Sequence, residues 1–185
     1  MPKKDSVGNS ILDEMAFIKE NGLLSFKGVR YLLIRPETLA GIYRALEKTH
    51  GARTGADTFF RGGFEGGRLS AEKFRRPAPG WEKEIVEFMT RMGCEIGWGR
   101  FRILKLDLER KVLRLSLSFS PFAAAYGRSR HPVCDLPRGV FAGVAAGIFG
   151  TGVLATETQC KAMGARVCKF EITGASDRHR GTRKK

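Results

Sequence analysis

The stretch from Cys134 to Phe170 constrains this chain most. It reads HPVC, an uncharged glycine-rich run, ATETQC, then KAMGARVCKF. Three of the four cysteines lie in it, with a glutamate close by, in the pattern C-x22-E-x2-C-x7-C. Thiolate sulfur and carboxylate oxygen are both zinc ligands, and a closed structural site takes four donors. Cys134, Glu157, Cys160 and Cys168 therefore form a candidate metal site. The spacing holds one short pair, Glu157 and Cys160, where zinc modules ordinarily show C-x2-C knuckles. Free cysteines also serve as small buried apolar residues, and spacing alone leaves both readings open.

A chain of 185 residues suits one domain with tails. The expected division is an N-terminal segment over 1–20, a single domain over 21–174 and a disordered basic tail over 175–185. The start, MPKKDSVGNSILDEM, has no apolar segment of the secretory kind, so a cytoplasmic location is the expectation. Thiols stay reduced there, which favours metal or packing over disulfides. Residues 139–156 carry no charge, but five glycines interrupt them and Glu157 follows at once, so a buried helix and a strand fit better than a membrane span. The net charge is +14, and DRHRGTRKK at 177–185 supplies five of the basic residues. That charge attracts acidic partners non-specifically. Without a helix-turn-helix pattern or a basic run interleaved with aromatics, it reads as a solubilising surface rather than a nucleic-acid site.

Along the chain, 23–35 reads as a hairpin turning at Lys27-Gly28. Pro36 opens a helix with Leu39, Ile42, Tyr43 and Leu46 on its buried face, ended by Gly51 as a left-handed cap. A second helix is expected over 53–67, with Ala56, Phe59, Phe60, Gly63 and Phe64 on one face. Its RGGFEGG run lacks the G-K-[ST] ending of a phosphate loop and suits close packing. Residues 69–80 read as a connector. A third helix follows from Trp81 to Gly93, striped with Ile85, Phe88, Met89 and Met92, and Cys94 beyond it reads as a free thiol. Two strands are expected over 98–108 and 112–120. The second places Leu113, Leu115, Leu117 and Phe119 on one face, and the first sets Leu104, Leu106 and Leu108 against Arg102, Lys105 and Asp107. After a crossover containing Pro121 and Pro132, a helix over 136–149 repeats Gly139, Gly143 and Gly147, a smooth stripe for another backbone. Strands over 152–158 and 166–173 flank a turn near Gly164.

The run PVCDLPRGVFAGVAAGIFG, followed by TETQCKAMGARVCKFEIT, resembles the C-terminal half of the 4-vinyl reductase domain family. The shared features are a cysteine, a glycine-spaced helix, E-x-x-C and G-x-x-x-C-x-F. The resemblance is specific over 132–173 and compatible over 23–131. It implies an α+β fold, an antiparallel sheet of about four to five strands packed with helices. It also relates the chain to sensor domains of aromatic-responsive bacterial regulators and to subunits of vesicle-tethering complexes. In those sensors one Glu and three Cys at this spacing bind zinc. Carried over, the ligands are Cys134, Glu157, Cys160 and Cys168, with His131 as reserve should Glu157 not ligate.

The leading expectation is a sensor or carrier of an apolar or aromatic small molecule, homodimeric and read by a separate output protein. The expected pocket walls are Phe59, Phe60, Phe64, Ile85, Phe88, Met89, Leu115, Leu117 and Phe119, because ligand sites are mostly apolar. In the aromatic-responsive sensors a histidine and a tryptophan hold the ligand hydroxyl. Here no histidine falls in 81–120 and residue 85 is Ile, which favours a more apolar ligand than phenol. An accessory role in tetrapyrrole vinyl reduction is the enzymatic alternative. No dinucleotide fingerprint or nucleophile set supports catalysis by this chain alone. A dimeric adaptor without ligand chemistry is the third, with the glycine stripe or an N-terminal helix as its interface.

Overall fold

The computed structural model describes residues 8–76 and 78–175. Beyond Ala175 the expected basic tail lies outside the described residues. The fold is mixed α and β, with two antiparallel sheets.

The first sheet orders β1 (Ala16–Ile18), β2 (Leu23–Phe26) and β3 (Val29–Tyr31). Its hairpin turns at Lys27-Gly28, both at positive φ (49° and 75°), as the tight turns of twisted strands require. The strand stops at Tyr31, short of the expected end at 35, and Leu32 and Leu33 stand exposed. Sequence reading missed β1 and the short helix α1 (Ser10–Asp13) before it. Glu95 anchors α1, accepting a 2.7 Å bond from the Ile11 amide. Ile11 and Phe26 are buried and dock this unit on the helix carrying Glu95.

Helix α2 (Pro36–His50) starts at its proline as expected. Ala40 and Tyr43 face inward while Ile42 is exposed, which corrects the expected face. Gly51 has φ 85° but an extended ψ of 157°, so it is a corner into the next helix and not a left-handed cap. That helix, α3 (Ala52–Phe74), runs through the LSAEKF segment expected to be a connector. Only 75–80 separates it from α4 (Trp81–Glu95). The serine, alanine and glutamate there carry no helix-breaking feature; the prolines come later.

The second sheet has the order β4-β5-β7-β6, built from β4 (Arg100–Asp107), β5 (Val112–Ser118), β6 (Val153–Gln159) and β7 (Cys168–Gly174). Leu113, Leu115 and Leu117 on β5 face the core beside Ile172, Phe170 and Cys168 on β7. Burial of each large apolar side chain contributes about 1.5–3 kcal/mol. Two expectations for this hairpin are corrected. A bulge between Ile103 and Lys105 turns Leu104 outward, 53% exposed, and breaks the expected Leu104–Leu106–Leu108 face. Phe119 leaves the strand at φ 57° and is 74% exposed, so it does not continue the inner leucine face.

A short helix α5 (Pro121–Tyr126), not expected, fills part of the crossover. Ser120 caps it by accepting from the Ala123 amide at 3.2 Å. Helix α6 (Asp135–Phe149) then crosses α3 at backbone contact. A Cβ on Gly67 would meet the Val140 carbonyl oxygen at 1.9 Å, and one on Gly143 the Phe64 carbonyl oxygen at 2.1 Å. Gly63 and Gly139 repeat the relation one turn away. The glycines of RGGFEGG and those of α6 are thus two halves of one interlock. Gly139 and Gly143 of the α6 stripe are filled within the chain, so of the two interfaces expected for an adaptor the stripe is occupied and the N-terminal helix is the one left.

Candidate metal centre and ligand cavities

Each donor of the C-x22-E-x2-C-x7-C pattern is set by a local feature. Cys134 is the residue before α6, where the crossover meets the helix. Glu157 occupies an inward position of β6, two residues after buried Ala155, so the alternation that buries an alanine also buries a carboxylate. A register shift between Glu157 and Gln159 ends that alternation and leads into Cys160. A 3-10 turn (Lys161–Met163) closed by Gly164 at φ 97° returns the chain to β7, which begins with Cys168 facing the core.

The four side chains are buried, and one donor atom from each lies within 4.8 Å of all the others. Cys134 Sγ and Cys168 Sγ are 3.5 Å apart. Donors about 2.0–2.3 Å from a shared zinc ion stand roughly 3.5 Å from one another in a tetrahedron, the separation of these two sulfurs, and the whole set lies close enough to contract around one ion. Glu157 Oε2 accepts from the Cys134 amide at 2.9 Å, while Oε1 is buried with no hydrogen-bond partner among the described residues. A carboxylate oxygen withdrawn from water without a partner is costly unless a cation meets it. Around the donors, the Lys161 amide donates to Cys168 Sγ at 3.3 Å and Ser120 Oγ lies 3.4 Å from Cys134 Sγ. Such outer contacts fix the orientation of thiolate ligands.

The electrostatics agree. Burial, reinforced by the neighbouring Cys160, pushes the Glu157 carboxyl up to about 8. Hydrogen bonds with Cys160 and Cys168, and then burial, push the Cys134 thiol up. Cys160 is pulled the other way by hydrogen bonds from Cys134 and Cys168. A divalent cation at the cluster would offset the crowding of these acidic groups.

His131 does not join the cluster. Its Nε2 lies 3.2 Å from Glu47 Oε1, which corrects its place as reserve ligand. The same Glu47 accepts from the Tyr126 hydroxyl at 2.5 Å. Beside the cluster, Asp135 accepts from the Tyr43 hydroxyl at 2.6 Å and pairs with Arg138, which donates to the Ala155 carbonyl at 2.8 Å. This network ties α2, α6 and β6 together at the donor end. Sequence reading missed it, although Asp135 directly after a candidate ligand was a visible signal.

The nine expected pocket residues do not line one chamber. Met89 borders an apolar cavity of about 160 Å³ between α3, α4, α6 and β4, together with Tyr31, Met92, Phe101, Val140 and Phe141. Ile85 and Phe88 border a different pocket of about 420 Å³ at the start of α4. Phe59 packs on Tyr43, with ring centroids 4.8 Å apart. Phe60 lies under the Arg138 guanidinium at 4.3 Å, with Phe64 beside it. Leu115 and Leu117 are core residues, and Phe119 is exposed. Residue spacing along a helix or strand cannot distinguish a lining residue from a packed one, which is why Tyr31 on β3, Phe101 on β4 and Phe141 on α6 were missed.

Residues 113–174, a stretch containing all four donors, match the model of the 4-vinyl reductase domain family. The resemblance drawn from the sequence is shown over that stretch. No curated protein matches the chain. Among solved structures, the chain is similar to the phenol-responsive sensory domain of the transcription activator PoxR in complex with phenol. The TM-score is 0.77 at 19% identity, over 89% of this chain and 87% of that one. It is also similar to a vinyl-4-reductase family protein from Methanocaldococcus jannaschii, with TM-score 0.53, 18% identity, and 95% and 99% of the two chains covered. A third is a trafficking protein particle complex subunit 3 from Naegleria fowleri covalently bound to palmitic acid, with TM-score 0.56, 11% identity, and 76% and 95% covered. At these identities the likeness establishes the shared α and β fold. Among the described residues no helix is long and apolar enough to cross a membrane.

Proposed function

We propose that this chain is a small-molecule-binding sensor or carrier domain framed by a structural zinc ion on Cys134, Glu157, Cys160 and Cys168. The observation that carries the reading is the meeting of four buried donors within 4.8 Å, one of them a carboxylate oxygen without a partner. Three thiols suit zinc over magnesium or calcium, which prefer oxygen. Such an ion clips the start of α6 to β6 and β7, and its binding energy is folding energy. The likeness to a phenol-responsive sensory domain supports the sensor part of the reading.

The ligand chamber in this reading is the cavity between α3, α4, α6 and β4. Its walls carry two methionines, whose side chains repack readily around different ligands. With this apolar lining, the ligand is more apolar than phenol. The protein acts as a homodimer, which the exposed Leu32, Leu33 and Phe17 favour, and passes its signal to a separate output protein.

A thermal-shift series tests the chamber. Toluene is expected to raise the melting temperature more than phenol does, and Met89→Trp, which fills the space, is expected to remove the effect. No stabilisation by any aromatic, tetrapyrrole or lipid ligand would sink the sensor reading and leave a dimeric adaptor. Sedimentation of a monomer at micromolar concentration would exclude both dimeric forms.

A further inference from the structure

The pocket of about 420 Å³ at the start of α4 has a composition unlike the apolar cavity. Its floor is aromatic and aliphatic: Phe74, Trp81, Ile85 and Phe88. Its rim is basic: Lys27, Lys73, Arg75, Arg76 and Arg91, with Glu84 and Glu87 as the acidic members. The rim comes from elements far apart in sequence. Lys27 sits on the β2–β3 turn and Lys73 in the last turn of α3. Arg75 and Arg76 follow that helix, and Arg91 is on α4. The turn reaches α3 closely enough that a Cβ on Gly28 would lie 3.9 Å from Lys73 Nζ.

Like charges gathered from four places repel one another and are normally dispersed by nearby carboxylates. Lys27 has such a partner, Glu14 at 3.3 Å, and Arg91 has a distant one, Glu95 at 3.9 Å. Among the described residues, Lys73, Arg75 and Arg76 have no carboxylate within ion-pair distance. Neither acidic lining residue pairs with them: Glu84 makes no ion pair among the described residues, and that of Glu87 is with Lys83 outside the pocket, at 3.7 Å. Three of the five rim cations lie over aromatic faces instead. The Arg75 guanidinium is 4.6 Å from the Trp81 ring centre, Lys27 Nζ is 5.1 Å from that of Phe26, and Arg91 is 5.8 Å from that of Phe88. A guanidinium held over a ring still has N–H groups to offer a planar anion, and its fork matches a carboxylate in two parallel bonds. Phe74 and Phe88, 4.9 Å apart and tilted, offer a surface on which a flat apolar body packs.

We propose that this pocket is a binding site for an aromatic carboxylate, its anionic end held by Arg75, Arg76 and Lys73 and its ring laid on Phe74 and Phe88. The proposal deepens the small-molecule reading by adding a second, anion-selective subsite, and it rests on that reading only for the sense in which binding is useful to the cell.

Calorimetry on the full chain tests it, with 2-naphthoate as probe and 2-naphthamide as its uncharged counterpart of the same shape. The expected result is naphthoate binding at least about tenfold tighter than naphthamide, a preference weakened by salt. Arg75→Ala/Arg76→Ala is expected to weaken naphthoate at least about tenfold and to leave naphthamide unchanged. Lys73→Gln, at an exposed position, serves as a second variant with a smaller loss. Equal affinity for the two compounds, or a double variant that binds naphthoate as the wild type does, would overturn the anion site while leaving the apolar chamber and its toluene response intact. Absence of naphthoate binding, or binding only to vesicles of phosphatidylglycerol, would overturn it as well. A loss of the toluene response with naphthoate binding retained would instead count against the chamber alone.

Discussion

Glu157 is the residue on which the chemistry turns. On the inner face of a β-strand its carboxylate costs stability unless a cation meets it, and its neighbours are thiols rather than bases. The sign of its pH effect follows. Its folded-state value is raised from 4.5 to about 8 in the metal-free chain. Its contribution to metal-free stability is therefore fully present below about pH 4.5 and is lost as pH rises through about 8. Zinc bound at the proposed site would reverse the trend, because binding displaces protons from the same groups. Urea titrations across pH 5–8 are expected to show falling stability in the presence of chelator and rising stability with zinc. In Glu157→Gln the chelator-treated slope is expected to flatten and zinc affinity to drop at least about tenfold. Parallel pH profiles with and without metal would contradict this assignment.

At the scale of elements, the α3–α6 crossing controls where Cys134 stands, because α6 begins directly after it. The crossing depends on missing side chains. Gly143→Ala would put a Cβ 2.1 Å from a carbonyl oxygen of α3, which cannot turn aside as a side-chain tip can. We expect a loss of about 1–3 kcal/mol, read by chemical denaturation. Gly62→Ala on α3 meets nothing within 4 Å and is expected to be neutral or to stabilise by up to about 1 kcal/mol. If both changes had the same effect, close backbone packing would not be what holds the helices.

This crossing also marks how far the sequence could be read. The glycine repeats at 63, 67, 139 and 143 indicated close approach, and the E-x-x-C pair indicated a donor, because both depend on residue type at fixed spacing. The end of α3, the bulge beside Leu104 and the departure of Phe119 from its strand depend on tertiary fit, which no local pattern carries. The pocket walls were the least legible part. Phe59, Phe60 and Phe64 share helical spacing with true core residues, and only the packing of α2 and α6 decides what each meets. The basic rim was invisible for a related reason, since its cations come from a turn, a helix end, a connector and another helix.

At the scale of the whole molecule, the proposed metal centre at the base of α6 would hold the last third of the chain against the helices that line both cavities. Cys160→Ser should then cost folding and not only ligand affinity, visible as loss of a cooperative thermal transition. The most direct test is the metal content of the purified wild-type chain by mass spectrometry, alongside this variant. The account predicts about one zinc per chain, retained through gel filtration and absent from Cys160→Ser. A wild-type chain that carries no zinc, takes up none after chelation and re-addition, and still melts cooperatively would contradict it.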